Sequence, residues 1–152
     1  MESIFDAWMT SRQLYSDLFD KYSLDELNNI PKGFNNNIIW NIGHVIVAQQ
    51  SLIYKSSAQS MLISEDLFHK YKPGTKPTEV VDQEEADELR QLLTTLIPLT
   101  INDFHSGKFK VFNARTTGTG FLLSSLTDAF VFNNFHEGLH LGYIISIRKF
   151  LN

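Results

Sequence analysis

The 152-residue chain contains no cysteine. Disulfide bonds, thiolate metal ligands and a cysteine nucleophile are therefore excluded, and a bound metal ion would have to be held by histidine, aspartate or glutamate. A globular chain of this size buries about two-thirds of the surface that its unfolded form exposes, so its core needs no covalent cross-link. The absence of cysteine also fits a reducing compartment, and we expect a cytoplasmic location.

The charged residues form no cluster of one sign. Thirteen basic and 17 acidic residues give a net charge of −4, and they are scattered along the chain. No basic stripe is available to neutralise phosphates, so we expect no nucleic-acid partner. No stretch approaches the roughly 20 apolar residues of a membrane span, and the first residues lack the basic-then-apolar order of a signal peptide. We therefore expect no membrane partner.

Apolar residues recur at three-, four- and seven-residue steps in several segments, which predicts long amphipathic helices. The predicted helices cover residues 3–22, 36–57, 82–104 and about 124–150. Ser3 is expected to cap the first of them. Four helices separated by two long connections predict an all-α fold, a four-helix bundle in which residues 1–152 form one domain.

Weaker patterns mark the segments between and within these helices. Ser23 followed by Glu26 matches a capping box, which indicates a short helical turn. Another short helix is expected over Glu65–Tyr71, and residues 108–113 form a short extended run. Pro98 lies inside the third helix and predicts a kink or an early end there.

Two histidines, His136 and His140, lie four residues apart in the last predicted helix. This spacing places them on one helix face with Cβ atoms about 5–6 Å apart, where two imidazoles can bind one metal ion. The alternative is a chance pair of core histidines. The surrounding helix is apolar, so each buried imidazole would then need a polar partner of its own.

A third histidine, His44, lies in the second predicted helix, on a face that is small and polar rather than apolar. Such a face suits the wall of a pocket. One helix supplying a pair and another supplying a single histidine would form a three-histidine metal site, His44, His136 and His140. The neighbouring residues that we expect to line the pocket are Trp40, Asn41, Ala48, Asn133 and Tyr143. The remaining histidines, His69 and His105, lie in polar segments and are expected at the surface.

Residues His136 to His140 also match the H-E-x-x-H pattern of zinc proteases, in which the glutamate is the general base. The twelve residues after His140 contain no histidine, aspartate or glutamate to complete such a site, so a protease is disfavoured. Glu137 is a candidate catalytic residue at the pocket rim. It could instead accept a hydrogen bond near the ligands, or pair with Arg148 or with a cation on a neighbouring element.

Three segments make the chain resemble the DinB-like superfamily of four-helix bundles. They are Trp40-Asn-Ile-Gly-His44, His136-Glu-Gly-Leu-His140-Leu-Gly-Tyr-Ile and the basic ending that starts at Ile147. The resemblance implies a divalent metal, commonly zinc or nickel, held by the three histidines. It also implies that homodimers are common. Tyr143 stands where the family often has glutamine, which leaves the polar lining of the pocket, and so the substrate, open.

Family members with known activity use the metal to activate a low-molecular-weight thiol, such as bacillithiol, mycothiol or glutathione. The resemblance therefore implies a small-molecule substrate and a thiol S-transferase. Three neutral imidazoles leave at least one position of the metal open, and a thiol entering it would lose its proton. A hydrolase would use the same site. The alternatives are a noncatalytic metal- or small-ligand-binding bundle, and a structural dimer in which the histidines are core groups.

Overall fold

The computed structural model describes residues 1–151. Within that range the chain forms six α-helices and one two-stranded antiparallel sheet, in which Arg115 pairs with Leu123. The elements are α1 (Glu2–Lys21), α2 (Leu24–Asn28), α3 (Ile38–Gln49), α4 (Glu65–Tyr71), α5 (Gln83–His105), β1 (Arg115–Thr116), β2 (Leu122–Leu123) and α6 (Leu126–Ile147). The predicted all-α fold is confirmed.

The four long helices pack so that α1 and α3 each contact both α5 and α6. Helix α6 therefore lies between α1 and α3 and can present one face to each of them. All residues of α3 are buried, as expected of a helix that is mostly apolar around its whole circumference. The short helices α2 and α4 pack against α3 from outside the bundle.

Polar side chains cap most of the helices. Ser23 and Glu26 form the predicted capping box at α2, and Ser125 forms another with Asp128 at α6. The prediction for Ser3 is wrong: α1 begins at Glu2, because the backbone carbonyl of Met1 accepts the first helical hydrogen bonds. Capping supplies the backbone N–H groups of the first turn with acceptors that the helix itself lacks.

The second predicted helix, 36–57, is irregular over its last two turns. Helix α3 continues as a π-helical turn, Gln50–Tyr54, and then as a 3₁₀ turn, Lys55–Ser57. The segment ends at Ala58, whose φ of 55° is left-handed and stops the helix. A 3₁₀ turn, Arg148–Phe150, likewise follows α6.

The prediction that the third helix ends early at Pro98 is wrong, since α5 continues to His105. Buried Ile97 and Thr100 pack on either side of the proline and hold the helix against the core. Residues 108–113 form no strand among the described residues, and pairing begins only at Arg115. No described helix combines the length and apolar character needed to cross a bilayer.

Candidate metal centre

Helices α3 and α6 bring the three histidines together. One ring nitrogen from each of His44, His136 and His140 lies within 4.8 Å of the others. The ring centroids are 5.2 Å apart for His44 and His136, 4.7 Å for His44 and His140, and 4.6 Å for the pair on α6. Nitrogens this close can share one cation, so the arrangement can hold a metal ion.

The ring of His44 is fixed on two sides. Its Nδ1 lies 2.7 Å from the backbone carbonyl oxygen of Tyr71, the last residue of α4. A carbonyl only accepts, so Nδ1 carries the proton and the lone pair belongs to Nε2. The indole of Trp40 stacks on the imidazole with centroids 4.9 Å apart and planes 11° from parallel. The ring is therefore oriented with one nitrogen free to bind a metal.

The ring of His140 is oriented by an asparagine on α3. Its Nδ1 lies 2.7 Å from Oδ1 of Asn41. The amide of Asn41 is itself fixed, because its Nδ2 donates to Oδ1 of Asn36 at 2.9 Å and to the backbone oxygen of Asn37 at 2.7 Å. The Asn41 oxygen must then face the histidine, which donates from Nδ1 and keeps the lone pair of Nε2 free.

His136 differs from the other two histidines. Its Nδ1 is buried and meets no hydrogen-bond partner in the described part of the chain. An imidazole in that state is costly unless a further group satisfies it. The three rings converge within 4.8 Å, and Nε2 is free on both His44 and His140, so the donor set fits a divalent metal that accepts histidine nitrogens.

The three rings are neutral at neutral pH. Burial lowers the pKa of His136 to about 4, with a further contribution from nearby His44. Burial, and then the other two rings, lowers the pKa of His140 to about 3. Burial also lowers the pKa of His44, against the hydrogen bond to Tyr71. Metal binding requires deprotonated imidazoles, so the centre is held in its binding-competent protonation state.

An open pocket of about 290 Å³ lies beside His140. Asn41 and Tyr143, two of the residues expected to line it, are there, and the others in its lining are Asn35, Asn36 and Leu139. A larger depression of about 450 Å³ lies around Lys70 and Glu85 on the acidic surface, and the three histidines do not line it. Of these two, the smaller pocket is the one that reaches the centre, because His140 is part of its lining.

The other three residues expected in the lining have different surroundings. Trp40 covers His44 by stacking. Ala48 is buried in an apolar cluster together with Trp8. Asn133 is buried, and its Nδ2 donates to Oε1 of Glu137 at 2.8 Å.

Glu137 is fully buried and faces α1. Its Oε2 accepts from Nε of Arg12 at 2.8 Å, and its Oε1 accepts from Nη2 of the same guanidinium at 2.8 Å. Trp8 Nε1 and Asn133 Nδ2 also donate to Oε1, each at 2.8 Å. The sequence left three roles open for Glu137: a catalytic residue, a hydrogen-bond acceptor near the ligands, or a member of an ion pair. These contacts match the ion pair, and the cation is Arg12 rather than Arg148.

Arg12 connects all four long helices. Besides Glu137 on α6, its guanidinium donates to the backbone oxygen of Leu93 on α5 at 3.1 Å and to Oε1 of Gln49 on α3 at 3.0 Å. The hydroxyl of Tyr15 donates to the backbone oxygen of Glu137 at 2.6 Å. We call Arg12, Glu137 and the side chains that bond to them the Arg12–Glu137 network.

The network was not predicted, although the sequence carries a trace of it. Trp8, Arg12 and Tyr15 follow each other at steps of four and three residues, so the arginine lies within an apolar stripe. An arginine in that position needs a buried acidic partner. His69 and His105, in contrast, have side chains that are 61% and 52% exposed, as expected from their polar surroundings.

Fold and centre together define a helical bundle with a three-histidine group suited to a metal ion. The family model of the DinB superfamily matches residues 7–144. The chain belongs to the DinB superfamily, and the resemblance drawn from its histidine motifs is confirmed.

One solved structure shares this fold over nearly its whole length. It is described as the crystal structure of the conserved protein of locus from Enterococcus faecalis, and it is 13% identical, with a TM-score of 0.62. The match covers 99% of this chain and 95% of that one. At this identity the similarity shows the fold alone. No curated protein matches the chain.

Proposed function

We propose that the protein is a divalent-metal-dependent enzyme that transfers a low-molecular-weight thiol to a small electrophilic substrate. The observation that carries the proposal is the convergence of His44, His136 and His140 within 4.8 Å beside an open pocket. Two of the three rings have their Nδ1 protons assigned to protein acceptors, so their Nε2 atoms are free to bind. Zinc and nickel are the metals that we propose for such nitrogen donors.

A divalent cation bound by three neutral imidazoles would acidify a thiol or a water molecule entering its open position. The chain's own contribution is to keep the rings neutral and oriented. Because the chain has no cysteine, the thiol must come from a cosubstrate. Asn35, Asn36 and Tyr143 offer uncharged hydrogen-bonding groups to a ligand in the pocket.

A hydrolase is the second candidate, because a metal ion in the same centre would acidify a water molecule as well as a thiol. The pocket beside His140 is open to solvent, which supports this candidate. In neither case do we assign Glu137 as a base. Both of its carboxylate oxygens are engaged by the Arg12–Glu137 network, so we propose that it fixes the position of α6 against α1.

We also propose that the protein is a homodimer. Val131, Phe135 and Leu139 follow each other at four-residue steps on α6, and all three are exposed. An apolar stripe of this kind is unusual on a surface that stays in water and suits a two-fold interface. The cytoplasmic location and the single domain over 1–152 stay predictions.

Metal analysis of protein purified without a histidine tag tests the centre. We expect about one divalent ion per chain in the wild type and near-complete loss in His140→Ala. A matched control is His105→Ala, which removes an exposed histidine outside the centre and should retain the metal. A wild type that binds no zinc or nickel after reconstitution would overturn the proposal in favour of histidines that serve the core.

Thiol-transfer assays then separate an enzyme from a binding protein. The metal-loaded protein is offered a panel of low-molecular-weight thiols with electrophiles, and a panel of hydrolysable esters and amides. Transfer that is lost in His140→Ala supports the S-transferase, and hydrolysis without thiol supports the second candidate. If the metal-loaded protein shows no activity in either panel, the noncatalytic metal- or ligand-binding bundle is favoured.

A further inference from the structure

We propose that Tyr71 is a positioning residue for His44, and that Gly43 is required because any side chain there would displace Tyr71. The short helix α4 would thereby be part of the metal centre although it supplies no ligand. This inference rests on the proposed function only for the role of His44 as a ligand. The contacts that carry it are between protein atoms alone.

The first contact is the hydrogen bond from His44 to the end of α4. Nδ1 of His44 lies 2.7 Å from the carbonyl oxygen of Tyr71, and the same nitrogen has no other acceptor within residues 1–151. The bond selects the tautomer with a free Nε2. It also fixes the rotation of the ring about the Cβ–Cγ bond, so the direction of the free lone pair depends on where this one carbonyl lies.

The second contact holds that carbonyl in place. The side chain of Tyr71 is only 1% exposed and packs into the main apolar cluster of the protein. Its hydroxyl donates to a carboxylate oxygen of Glu85 on α5. Lys70 binds the other oxygen of the same carboxylate at 2.6 Å. The ring is thus anchored at its far end, and the backbone of Tyr71 cannot shift without breaking these contacts.

Gly43 supplies the space in which the ring lies. A Cβ at this position would be 2.5 Å from Cδ1 of Tyr71 and 2.6 Å from both Cε1 and Cγ. These distances are far below van der Waals contact, so a methyl group would force the ring away. The carbonyl that binds His44 belongs to the displaced residue and would move with it. Glycine at the residue before His44 is thereby explained, although it is unfavourable inside a helix.

Gly138 provides a matched control on the opposite helix. It lies between His136 and His140, yet apart from its chain neighbours and the nearby backbone of its own helix, a Cβ at this position would meet no described atom within 4 Å. Alanine is a better helix former than glycine at both positions, so helix propensity alone would favour both substitutions. Only the contact with Tyr71 distinguishes them.

The test measures the affinity of the folded protein for Co²⁺ in Gly43→Ala and Gly138→Ala. Binding is monitored through the visible absorption of the bound Co²⁺. We expect about a 10- to 100-fold weaker affinity in Gly43→Ala, the usual effect of losing the partner that orients a histidine ligand. Gly138→Ala should bind as the wild type does. Equal affinities in the two variants, at equal folded fractions by circular dichroism, would overturn the proposal.

A double variant separates positioning from a general loss of packing. Tyr71→Ala removes the ring but keeps the backbone carbonyl, so in Gly43→Ala/Tyr71→Ala the new methyl group has space. We expect Gly43→Ala to weaken Co²⁺ binding when Tyr71 is present, but to have no further effect in the Tyr71→Ala background, because the ring that the methyl group would displace is then absent. A double variant that binds several-fold more weakly than Tyr71→Ala alone would contradict the proposal, since the methyl group would then act by a route other than the displacement of Tyr71.

Nitrogen-15 spectra of the protein stripped of metal make the test independent of metal binding and of the proposed function. We expect the wild-type His44 to carry its proton on Nδ1, and Gly43→Ala to lose this preference. A wild type with the proton on Nε2 would overturn the role of Tyr71. A wild type that has the Nδ1 proton but binds no metal would defeat the proposed function while leaving the positioning of His44 intact.

Discussion

Two polar clusters meet on α6 at consecutive residues, and they differ in how their polar atoms are satisfied. His136 faces α3, and its buried Nδ1 has no partner in the structure as described. Glu137 faces α1, and both of its carboxylate oxygens accept hydrogen bonds from Arg12. The ion pair at the centre of one cluster is closed by the protein itself, whereas the histidine cluster has unused capacity for a ligand.

The difference teaches how to separate structural from functional polar groups in this core. A buried ion pair that is fully hydrogen-bonded has no further chemistry to offer, and removing one partner is costly. A group of neutral imidazoles with lowered pKa values and free lone pairs has little structural reason to be buried together. The H-E-x-x-H match contains both kinds of residue, so the motif alone could not assign a role to its glutamate.

The largest effect is expected from breaking the closed cluster. Arg12→Met leaves the Glu137 carboxylate buried without its cation, and we expect the free energy of unfolding to fall by about 3–5 kcal/mol. Urea unfolding in the presence of EDTA measures it without interference from metal. The matched control is Arg90→Met, since Arg90 pairs with Asp20 at the exposed surface and should matter little. Similar losses in the two variants would contradict a special role for the Arg12–Glu137 network.

The sequence predicts the closed cluster poorly for a physical reason. Arg12 and Glu137 are 125 residues apart, and helical periodicity says which face of a helix is buried but not which helix it meets. The stripe that contains Arg12 indicates that a partner exists without naming it. The long helices were predictable because their apolar spacing is regular, and the capping box at Ser23 because it depends only on nearby residues.

The histidine centre was more accessible to sequence reasoning than its supports. Two ligands at a four-residue spacing share a helix face in any helix, and the polar face around His44 marked the third. The carbonyl of Tyr71 could not be predicted, because every residue has a carbonyl and only the fold decides which one meets His44. Asn41 was expected near the pocket, whereas its bond to His140 depends on how α3 and α6 are aligned.

A second prediction concerns how the free energy of unfolding depends on pH, to which the histidine cluster contributes through His140. Burial, and then the neighbouring rings, lowers the pKa of His140 to about 3 from 6.5, so the unfolded chain takes up a proton that the folded protein excludes. The stability is therefore complete above pH 6.5 and falls as the pH drops toward 3. Between pH 7.5 and 5 this one histidine should cost about 2 kcal/mol, since one pKa unit corresponds to about 1.4 kcal/mol.

Comparison with His140→Gln isolates that contribution, because glutamine does not titrate. Unfolding by urea, measured in EDTA from pH 7.5 to 5, should show a steeper loss of stability in the wild type than in the variant. The carboxylates titrate alike in both proteins and cancel in the difference. Parallel curves would mean that His140 is not held neutral by burial, and the contrast with the closed cluster would be lost.

The smallest effect is expected at the hydrogen bond that the side chain of Asn41 provides to the centre. Asn41→Ala removes the acceptor of the His140 Nδ1 proton, so the ring loses its fixed orientation, and we expect about a 10-fold weaker affinity for Zn²⁺ by competition titration. Asn35→Ala is the matched control, since Asn35 lines the same pocket and bonds to no histidine within residues 1–151. If both variants bind Zn²⁺ as tightly as the wild type, His140 needs no orienting partner, and the helices alone hold the centre in place.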